Sequence, residues 1–220
     1  MIELPDFQKE FEYENNFYLS CQPIRIAKLL AHYELHKMVD SIAGSIIECG
    51  VFKGTSLVRF AMFRELFSNS YSKKIIGFDT FGKFPDTSFE EDKLKRQKFI
   101  ENAGEESISK NQLLEILEQK NINHNIELVE GDILETIPQY LKEHPETKIS
   151  LLNLDTDIYE PAVKILEEFY PRLNSGGVLI LDDYGVFPGE TKAVDDYFDG
   201  CNVTIQKFPF CMTPCYIVKP

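Results

Sequence analysis

Residues 148–155, KISLLNLD, and residues 176–183, GGVLILDD, are two apolar runs that each end in aspartate. The segment between them repeats apolar residues at the three- and four-residue spacing of an amphipathic helix. A strand, a helix and a second strand with this spacing are typical of a right-handed crossover in a parallel sheet. We therefore predict two neighbouring strands whose acidic ends meet at one edge of the sheet.

The same alternation of apolar runs and helical segments extends over most of the chain. Further predicted strands are SIIECG (45–50), KKIIGFD (73–79) and NIELVEGD (125–132). Near the C-terminus, residues 201–208 and 214–220 are joined by a short loop with no room for a helix, so they are expected to pair antiparallel. The pattern predicts an α/β fold, with a doubly wound, mostly parallel sheet and an antiparallel C-terminal hairpin.

Two regions depart from this alternation within the single domain expected over residues 1–220. Residues 1–40 are interpreted as an N-terminal helical cap, with one amphipathic helix over 16–40. Residues 80–124 are longer than a crossover requires and carry many charges, so they are predicted to form a partly helical lid. A solvated helical insertion with no role in binding is the alternative.

Composition limits the classes of function. The formal net charge of −13 would repel a phosphate backbone and argues against nucleic acid as a partner. No apolar run approaches the roughly 18 residues of a membrane span, and the acidic N-terminus is unlike a secretory signal. The five cysteines form no C-x-x-C pair, which favours a reduced, cytoplasmic protein. Cys211 and Cys215 could instead form a disulfide in an oxidising compartment.

Four aspartates follow the two predicted strand ends, Asp155 and Asp157 after the first and Asp182 and Asp183 after the second. Neighbouring strands lie about 4.8 Å apart, so these carboxylates would repel one another unless a cation lay between them. A hard divalent cation such as Mg²⁺ is the simplest solution. The alternative is that the acids, Asp157 above all, cap the helices that follow. Capping accounts for one acid at each strand end and hardly for two.

The stretch IIECGVFKGTS (46–56) predicts a strand, a turn containing Gly50 and Gly54, and a helix that begins at Thr55 and Ser56. The G-x-G-x-x-G dinucleotide pattern would need glycine at positions 52 and 55, where Phe52 and Thr55 stand. The loop is therefore not shaped for a pyrophosphate. It is suited to a smaller anion, such as an amino-acid carboxylate at a helix N-terminus.

Two further acids suit an adenosine ligand. Asp79 ends the second predicted strand, where a carboxylate can accept hydrogen bonds from both ribose hydroxyls. Asp132 follows the third predicted strand and could accept from an adenine amino group. Together they favour a cofactor site over a purely structural glycine turn.

Other polar and aromatic residues allow simpler interpretations. His32 and His36 have the spacing of a zinc-binding helix, but no third ligand is evident, and a packed or solvated helix face is favoured. The N-terminal aromatic residues are compatible with a pocket wall, a seam between two copies in a homo-oligomer, or core packing: Phe7, Phe11, Tyr13, Phe17 and Tyr18.

The motifs as a set resemble the macrocin O-methyltransferase family. The segments that carry the resemblance are IIECGVFKGTSL, GFDTFGKFPD, LLNLDTDIYEPAVKILEEFYPRLNSGGVLILDDYG and AVDDYF, and it extends from about residue 20 to residue 200. Members are class I, Rossmann-like enzymes that transfer a methyl group from S-adenosylmethionine to sugar hydroxyls. The resemblance implies that the acceptor is a sugar or glycoside.

The resemblance also implies roles for individual residues. Glu48, Gly50 and Ser56 would surround the methionine moiety of the cofactor. Val51 and Gly54, in the same loop, are also predicted to bind the cofactor.

The remaining implied roles lie at the other strand ends. Asp79 would bind the ribose, and Asp155, Asp182 and Asp183 would bind Mg²⁺. Asp157 would be the general base. The expected activity is thus Mg²⁺-dependent O-methylation.

Two other classes of function stay open at this level. A nicotinamide-dependent oxidoreductase is disfavoured by Phe52 and Thr55 in the glycine loop. A non-catalytic binding module that keeps the methyltransferase fold would differ only by its lack of turnover.

Overall fold

The structure is a computed structural model that describes residues 2–220. Its strands are β1 Ser45–Cys49, β2 Ile75–Asp79, β3 Ile126–Glu130, β4 Ile149–Leu154, β5 Leu173–Leu181, β6 Gln206–Lys207 and β7 Cys215–Val218. Its α-helices are α1 Glu10–Ser20, α2 Pro23–Met38, α3 Thr55–Phe67, α4 Glu90–Ala103, α5 Lys110–Gln119, α6 Ile133–Glu143, α7 Tyr159–Phe169 and α8 Pro188–Phe198.

The strands form one sheet in the order β3-β2-β1-β4-β5-β7-β6. Strands β1 to β5 pair in parallel, whereas β7 pairs antiparallel with both β5 and β6. The predicted α/β fold with an antiparallel C-terminal strand pair is confirmed. The strand order reverses direction at β1 and β4, and ligands bind at such a switch point in open parallel sheets.

Both faces of the sheet are covered by helices, which explains the continuous apolar runs of the central strands. All six residues of β4 are buried. Leu152 and Leu179 pack on the side of α6, α7 and α8. Leu151 and Ile180 pack on the opposite side, with α3 and α5. The two apolar layers fix the sheet and therefore the position of its acidic edge.

The N-terminal region forms two helices rather than the single helix predicted over 16–40. Helix α1 ends at Ser20, and α2 begins at Pro23 after two extended residues, Cys21 and Gln22. Proline lacks an amide hydrogen and disfavours the helical conformation in the residue before it, so it starts a helix rather than continuing one.

Helix α1 carries most of the N-terminal aromatic residues, and none of its residues is buried. Phe11 is 75% exposed and Tyr18 is 62% exposed. The interpretation that these side chains pack in the core is therefore wrong. Contact between two copies of the chain stays a prediction.

The predicted lid over 80–124 divides into two parts. Helix α5 is a core element, because Leu113 and Leu117 are fully buried against the sheet side of α3. A capping box between Ser109 and Gln112 fixes its start. Only the first part, which includes α4, lies over the carboxyl edge of the sheet.

No helix within residues 2–220 has the length and apolar character needed to cross a membrane. All five cysteines are free thiols, Cys211 and Cys215 included.

Candidate active site

The acidic ends of β4 and β5 lie side by side because the strands pair in parallel register, with Leu154 opposite Leu181. Asp155 and Asp182 are the next residues, and the amide of Asp182 donates to the carbonyl oxygen of Leu154 at 3.0 Å. One carboxylate oxygen from each of Asp155, Asp182 and Asp183 lies within 4.8 Å of the others. The fold thus brings the three proposed metal ligands together.

Asp182 is buried beside a cation. Nζ of Lys28, on α2, lies 2.5 Å from Oδ2 of Asp182. Nε2 of His32 lies 3.7 Å from Oδ1, which is too far for a hydrogen bond. Burial acts to raise the pKa of Asp182, but Lys28 and His32 outweigh it and hold that pKa below its ordinary value. Oδ1 has no hydrogen-bond partner among residues 2–220, so it can accept a further cation.

Asp157 lies beyond the end of β4 and is not in an extended conformation. Its φ angle is 65°, in the left-handed region, which aspartate tolerates better than most residues. Its carboxyl group lies near that of Asp183, and buried carboxyl groups this close favour a proton on one of the two. The capping alternative is wrong for Asp157, since the N-cap of α7 is Ile158 and the first amide of that helix, from Tyr159, donates to Asp92 instead.

The environment of these acids favours their protonated forms. Burial, followed by the negative charge of Asp182, raises the pKa of Asp183 to about 6. Burial and then Asp183 raise the pKa of Asp157, and burial and then Asp182 raise that of Asp155. Glu190, which is fully buried, accepts a hydrogen bond from the amide of Asp183 at 2.9 Å. A carboxylate in such surroundings can hold or release a proton close to neutral pH.

The glycine loop crosses directly over the acidic loop. Gly50 has a φ angle of 91°, and a Cβ atom there would lie 1.8 Å from the carbonyl oxygen of Asp155. Gly54, with a φ angle of 82°, is the N-cap of α3, and no side chain caps that helix. The first amides of α3 are thus available to an anionic group.

Asp79 organises the glycine loop from below. Its Oδ2 accepts hydrogen bonds from the amides of Val51 at 2.8 Å and Phe52 at 3.0 Å. Its Oδ1 accepts from the amide of Phe81 at 2.7 Å. Asp79, which is predicted to bind the ribose, therefore also fixes the backbone of the loop that would cover the cofactor.

Glu48 and Ser56 form a buried pair at the base of the loop. The hydroxyl of Ser56 donates to Oε1 of Glu48 at 2.6 Å. Burial raises the pKa of Glu48 to about 8. Ser56 lines the cavity, whereas Glu48 supports it from the interior and is 0% exposed.

Asp132 is the N-cap of α6. Its Oδ1 accepts a hydrogen bond from the amide of Leu134 at 2.9 Å, and the residue borders the cavity. Any contact with adenine would use the second carboxylate oxygen.

These residues surround a cavity of about 1040 Å³ at the carboxyl edge of the sheet. The insertion contributes Phe84, Lys95 and Phe99 to its wall, and α2 contributes Arg25 and Lys28. Nine of the eleven residues predicted for the site border it: Gly50, Val51, Ser56, Asp79, Asp132, Asp155, Asp157, Asp182 and Asp183.

The two histidines singled out in the sequence are core residues. His32 is fully buried and stacks on Phe60 at a ring distance of 5.0 Å. Burial lowers the pKa of His36 to about 4. The packed interpretation accounts for both, and zinc binding has no support in this geometry.

Several polar residues near the acids were not predicted from the sequence. They are Lys28, Arg59, Asp92, Glu160 and Glu190. Lys28 precedes His32 by four residues and so lies on the same face of α2. This spacing is the only sequence pattern that could have indicated Lys28. The others belong to helices whose approach to the site depends on the tertiary fold.

The chain is similar to known methyltransferases in sequence and in structure. The chain matches the family model of macrocin O-methyltransferase (TylF) over residues 25–208. It is 25% identical over 163 residues to 8-demethyl-8-(2,3-dimethoxy-α-L-rhamnosyl)-tetracenomycin-C 4′-O-methyltransferase of Streptomyces olivaceus. That match covers 73% of this chain and 60% of the relative, so the chain spans less than two thirds of the relative's length.

Solved structures agree in fold. A calicheamicin methyltransferase superposes with a TM-score of 0.79 at 30% identity, covering 94% of this chain and 84% of that one. An apo structure of a TDP-rhamnose 3′-O-methyltransferase of calicheamicin biosynthesis gives a TM-score of 0.71 at 28% identity, covering 95% and 86% of the two chains. With the match over residues 25–208, these similarities show that the chain belongs to the macrocin O-methyltransferase family.

Proposed function

We propose that the protein is a Mg²⁺-dependent O-methyltransferase that transfers the methyl group of S-adenosylmethionine to a sugar hydroxyl. The observation that carries the proposal is the meeting of two features in one cavity. The acidic ends of β4 and β5 lie directly beneath the loop that contains Gly50.

The glycine loop fits the cofactor. The uncapped start of α3, at Thr55 and Ser56, suits the methionine carboxylate. Asp79 and Asp132 border the same cavity and would bind the ribose and the adenine. S-adenosylmethionine, when bound, supplies a methyl group on a positively charged sulfur, and an acidic cavity suits that charge.

The carboxylate cluster fits a divalent cation. Asp155, Asp182 and Asp183 offer three oxygen donors, and Oδ1 of Asp182 is buried without a partner among the described residues. Lys28 would have to move away from Asp182 for that carboxylate to bind the cation. A bound Mg²⁺ lowers the pKa of a hydroxyl placed beside it.

The proton is handled by residues of the chain itself. Asp157 would accept the proton of the acceptor hydroxyl, and burial together with the negative charge of Asp183 would keep the pKa of Asp157 high enough for this task. The hydroxyl oxygen would then take the methyl group, leaving S-adenosylhomocysteine. Much of the acceleration would come from holding the oxygen in line with the methyl group.

The acceptor is proposed from the relatives, whose names specify a rhamnosyl antibiotic and TDP-rhamnose. A cavity of about 1040 Å³ is at the upper end of ordinary ligand pockets, which leaves room for a sugar beside the cofactor. Phe84 and Phe99 would provide apolar contacts for the sugar ring. The free thiols suit a reducing, cytoplasmic setting.

Ligand-dependent stabilisation tests the proposal. S-adenosylhomocysteine at a hundredfold excess over Kd should stabilise the fold by about 2.7 kcal/mol. NAD should not, because Phe52 and Thr55 occupy the positions of two required glycines. A shift with NAD alone would favour the oxidoreductase, and cofactor binding without turnover on any sugar would favour a non-catalytic module.

A further inference from the structure

Asp92, on the insertion helix α4, caps two other helices at once. Its Oδ2 accepts a hydrogen bond from the amide of Tyr159 at 3.0 Å, and its Oδ1 accepts from the amide of Gly189 at 2.7 Å. Tyr159 begins α7, and Gly189 is the second residue of α8. Neither helix receives a hydrogen bond from its own N-cap side chain. Asp92 is 0% exposed, so both bonds lie in a desolvated environment where their loss is expensive.

Both capped helices continue directly from the acidic loops. Asp157 precedes Tyr159 by two residues. Gly189 is followed by Glu190, which accepts a hydrogen bond from the amide of Asp183 at 2.9 Å. The carboxylate of Asp92 therefore bridges the helix after Asp157 to the helix whose first turn holds Asp183.

Helix α7 caps α4 in return. The carboxylate of Glu160 accepts from the amides of Ser88 at 2.7 Å and Phe89 at 3.2 Å. It also accepts from the hydroxyl groups of Ser88 and Thr87. The ring of Phe89 stacks on that of Tyr159 at 5.0 Å. Two helix starts are thus joined by carboxylates exchanged between them.

Glycine at position 189 allows this close approach. A Cβ atom there would lie 1.9 Å from Oδ2 of Asp92 and 2.5 Å from the amide nitrogen of Tyr159. Any larger residue would push Asp92 out of its capping position.

We propose that Asp92 is a positioning residue that holds the loops of Asp157 and Asp183 at the spacing needed for the metal cluster, and fixes α4 against them. The inference rests on the proposed function, since it assigns Asp92 to the same cluster. The wall residues Lys95 and Phe99 are on the same helix, so Asp92 also sets how the insertion meets the acids.

The affinity for Mn²⁺ alone, measured by calorimetry, tests the inference without any acceptor. Asp92→Asn keeps one accepting oxygen but turns an amide group toward one of the two backbone donors. The Mn²⁺ affinity should fall about tenfold or more, as for other residues that support metal ligands. Gly189→Ala should weaken Mn²⁺ binding in the same way. Affinity for S-adenosylhomocysteine should stay within about threefold of wild type, because the hydrogen bonds of the Asp92 side chain go to Tyr159 and Gly189 and not to the glycine loop.

Two controls separate positioning from stability. Ser109→Ala removes the side-chain cap of another helix, α5, and should leave Mn²⁺ affinity unchanged; equal weakening there would overturn the inference, because the loss of any helix cap would then suffice. Leu141→Ala, a core truncation on α6, should lower the melting temperature with normal Mn²⁺ affinity in the folded protein.

The outcomes are distinct. Wild-type Mn²⁺ affinity in both Asp92→Asn and Gly189→Ala would overturn the inference and leave the proposed function standing. Equal weakening in Leu141→Ala would also overturn it, because any loss of stability would then suffice. If the wild-type protein binds neither Mn²⁺ nor S-adenosylhomocysteine, the proposed function fails together with the inference.

Discussion

The ammonium group of Lys28 lies 2.5 Å from Oδ2 of Asp182, so the acidic cluster is neutralised in part by a side chain of its own protein. Although burial opposes it, the charges of Asp155 and Asp182 raise the pKa of Lys28 and keep it cationic. Lys28 and a divalent cation would serve the same carboxylates, so the two are expected to compete.

Lys28→Met should therefore destabilise the protein in the presence of a chelator. Asp182 is 5% exposed and would lose its partner, whereas Lys28 is 30% exposed and partly screened. We expect a loss of about 1–3 kcal/mol in the free energy of unfolding. Mg²⁺ should recover most of it and should bind more tightly than in the wild type. Lys192→Met, which removes the exposed pair with Asp196, is the control and should show no dependence on Mg²⁺. An equal loss with and without Mg²⁺ would exclude the competition.

Asp157→Asn and Asp155→Asn should differ in what they impair. Asp155→Asn should weaken Mg²⁺ binding and be rescued in part by high metal concentration. Asp157→Asn should leave metal and cofactor affinity near normal and lower kcat by about 10² to 10⁴. Steady-state kinetics and calorimetry on both variants test the assignment. Since α7 is not capped by Asp157, normal turnover in Asp157→Asn would leave that residue with no role.

Asp79→Asn should damage the cofactor site through the glycine loop. The amide group cannot accept all three backbone hydrogen bonds that the carboxylate receives from Val51, Phe52 and Phe81. The stability loss should be about 1–3 kcal/mol, with at least tenfold weaker binding of S-adenosylhomocysteine. Leu141→Ala, a truncation in the buried core on α6, is the control, because it should lower stability without weakening cofactor binding. Unchanged affinity in Asp79→Asn would remove Asp79 from the cofactor site.

The pH dependence of stability reports on Asp183. Its pKa of about 6 lies above the ordinary value of 3.8, so the folded protein binds this proton more tightly than the unfolded chain. The ionised form therefore destabilises the fold above pH 6, and the penalty disappears as the pH falls toward 4. In excess chelator, Asp183→Asn should be more stable than wild type at pH 8, by at most about 3 kcal/mol. Urea denaturation should show this advantage shrinking by pH 5, while the buried histidines affect both proteins alike. An advantage that is constant with pH would contradict the raised pKa.

The sheet could be predicted from the sequence because its strands are buried on both faces and appear as short apolar runs, as in residues 149–154. The meeting of Asp155 with Asp182 also followed from the sequence, since consecutive parallel strands end at the same edge. Both features follow from local sequence patterns and the general geometry of parallel sheets.

Other features depended on contacts that no local pattern encodes. Asp157 takes a left-handed φ angle of 65° and comes close to Asp183, which follows a different strand. Asp92 lies in a charged, solvated-looking helix, and its burial depends on the distant amide of Gly189. Pro23 marks the break in the sequence, although the amphipathic pattern over 16–40 predicts a single helix.

Methyl transfer measured with and without a chelator tests the central proposal most directly. The protein would be incubated with methyl-labelled S-adenosylmethionine, Mg²⁺ and a panel of TDP-rhamnose and simple rhamnosides. We predict that label appears as an O-methyl group on a sugar, that excess EDTA abolishes the transfer, and that added Mg²⁺ restores it. Transfer at an undiminished rate in excess EDTA, or no transfer to any sugar of the panel, would contradict the proposed reaction.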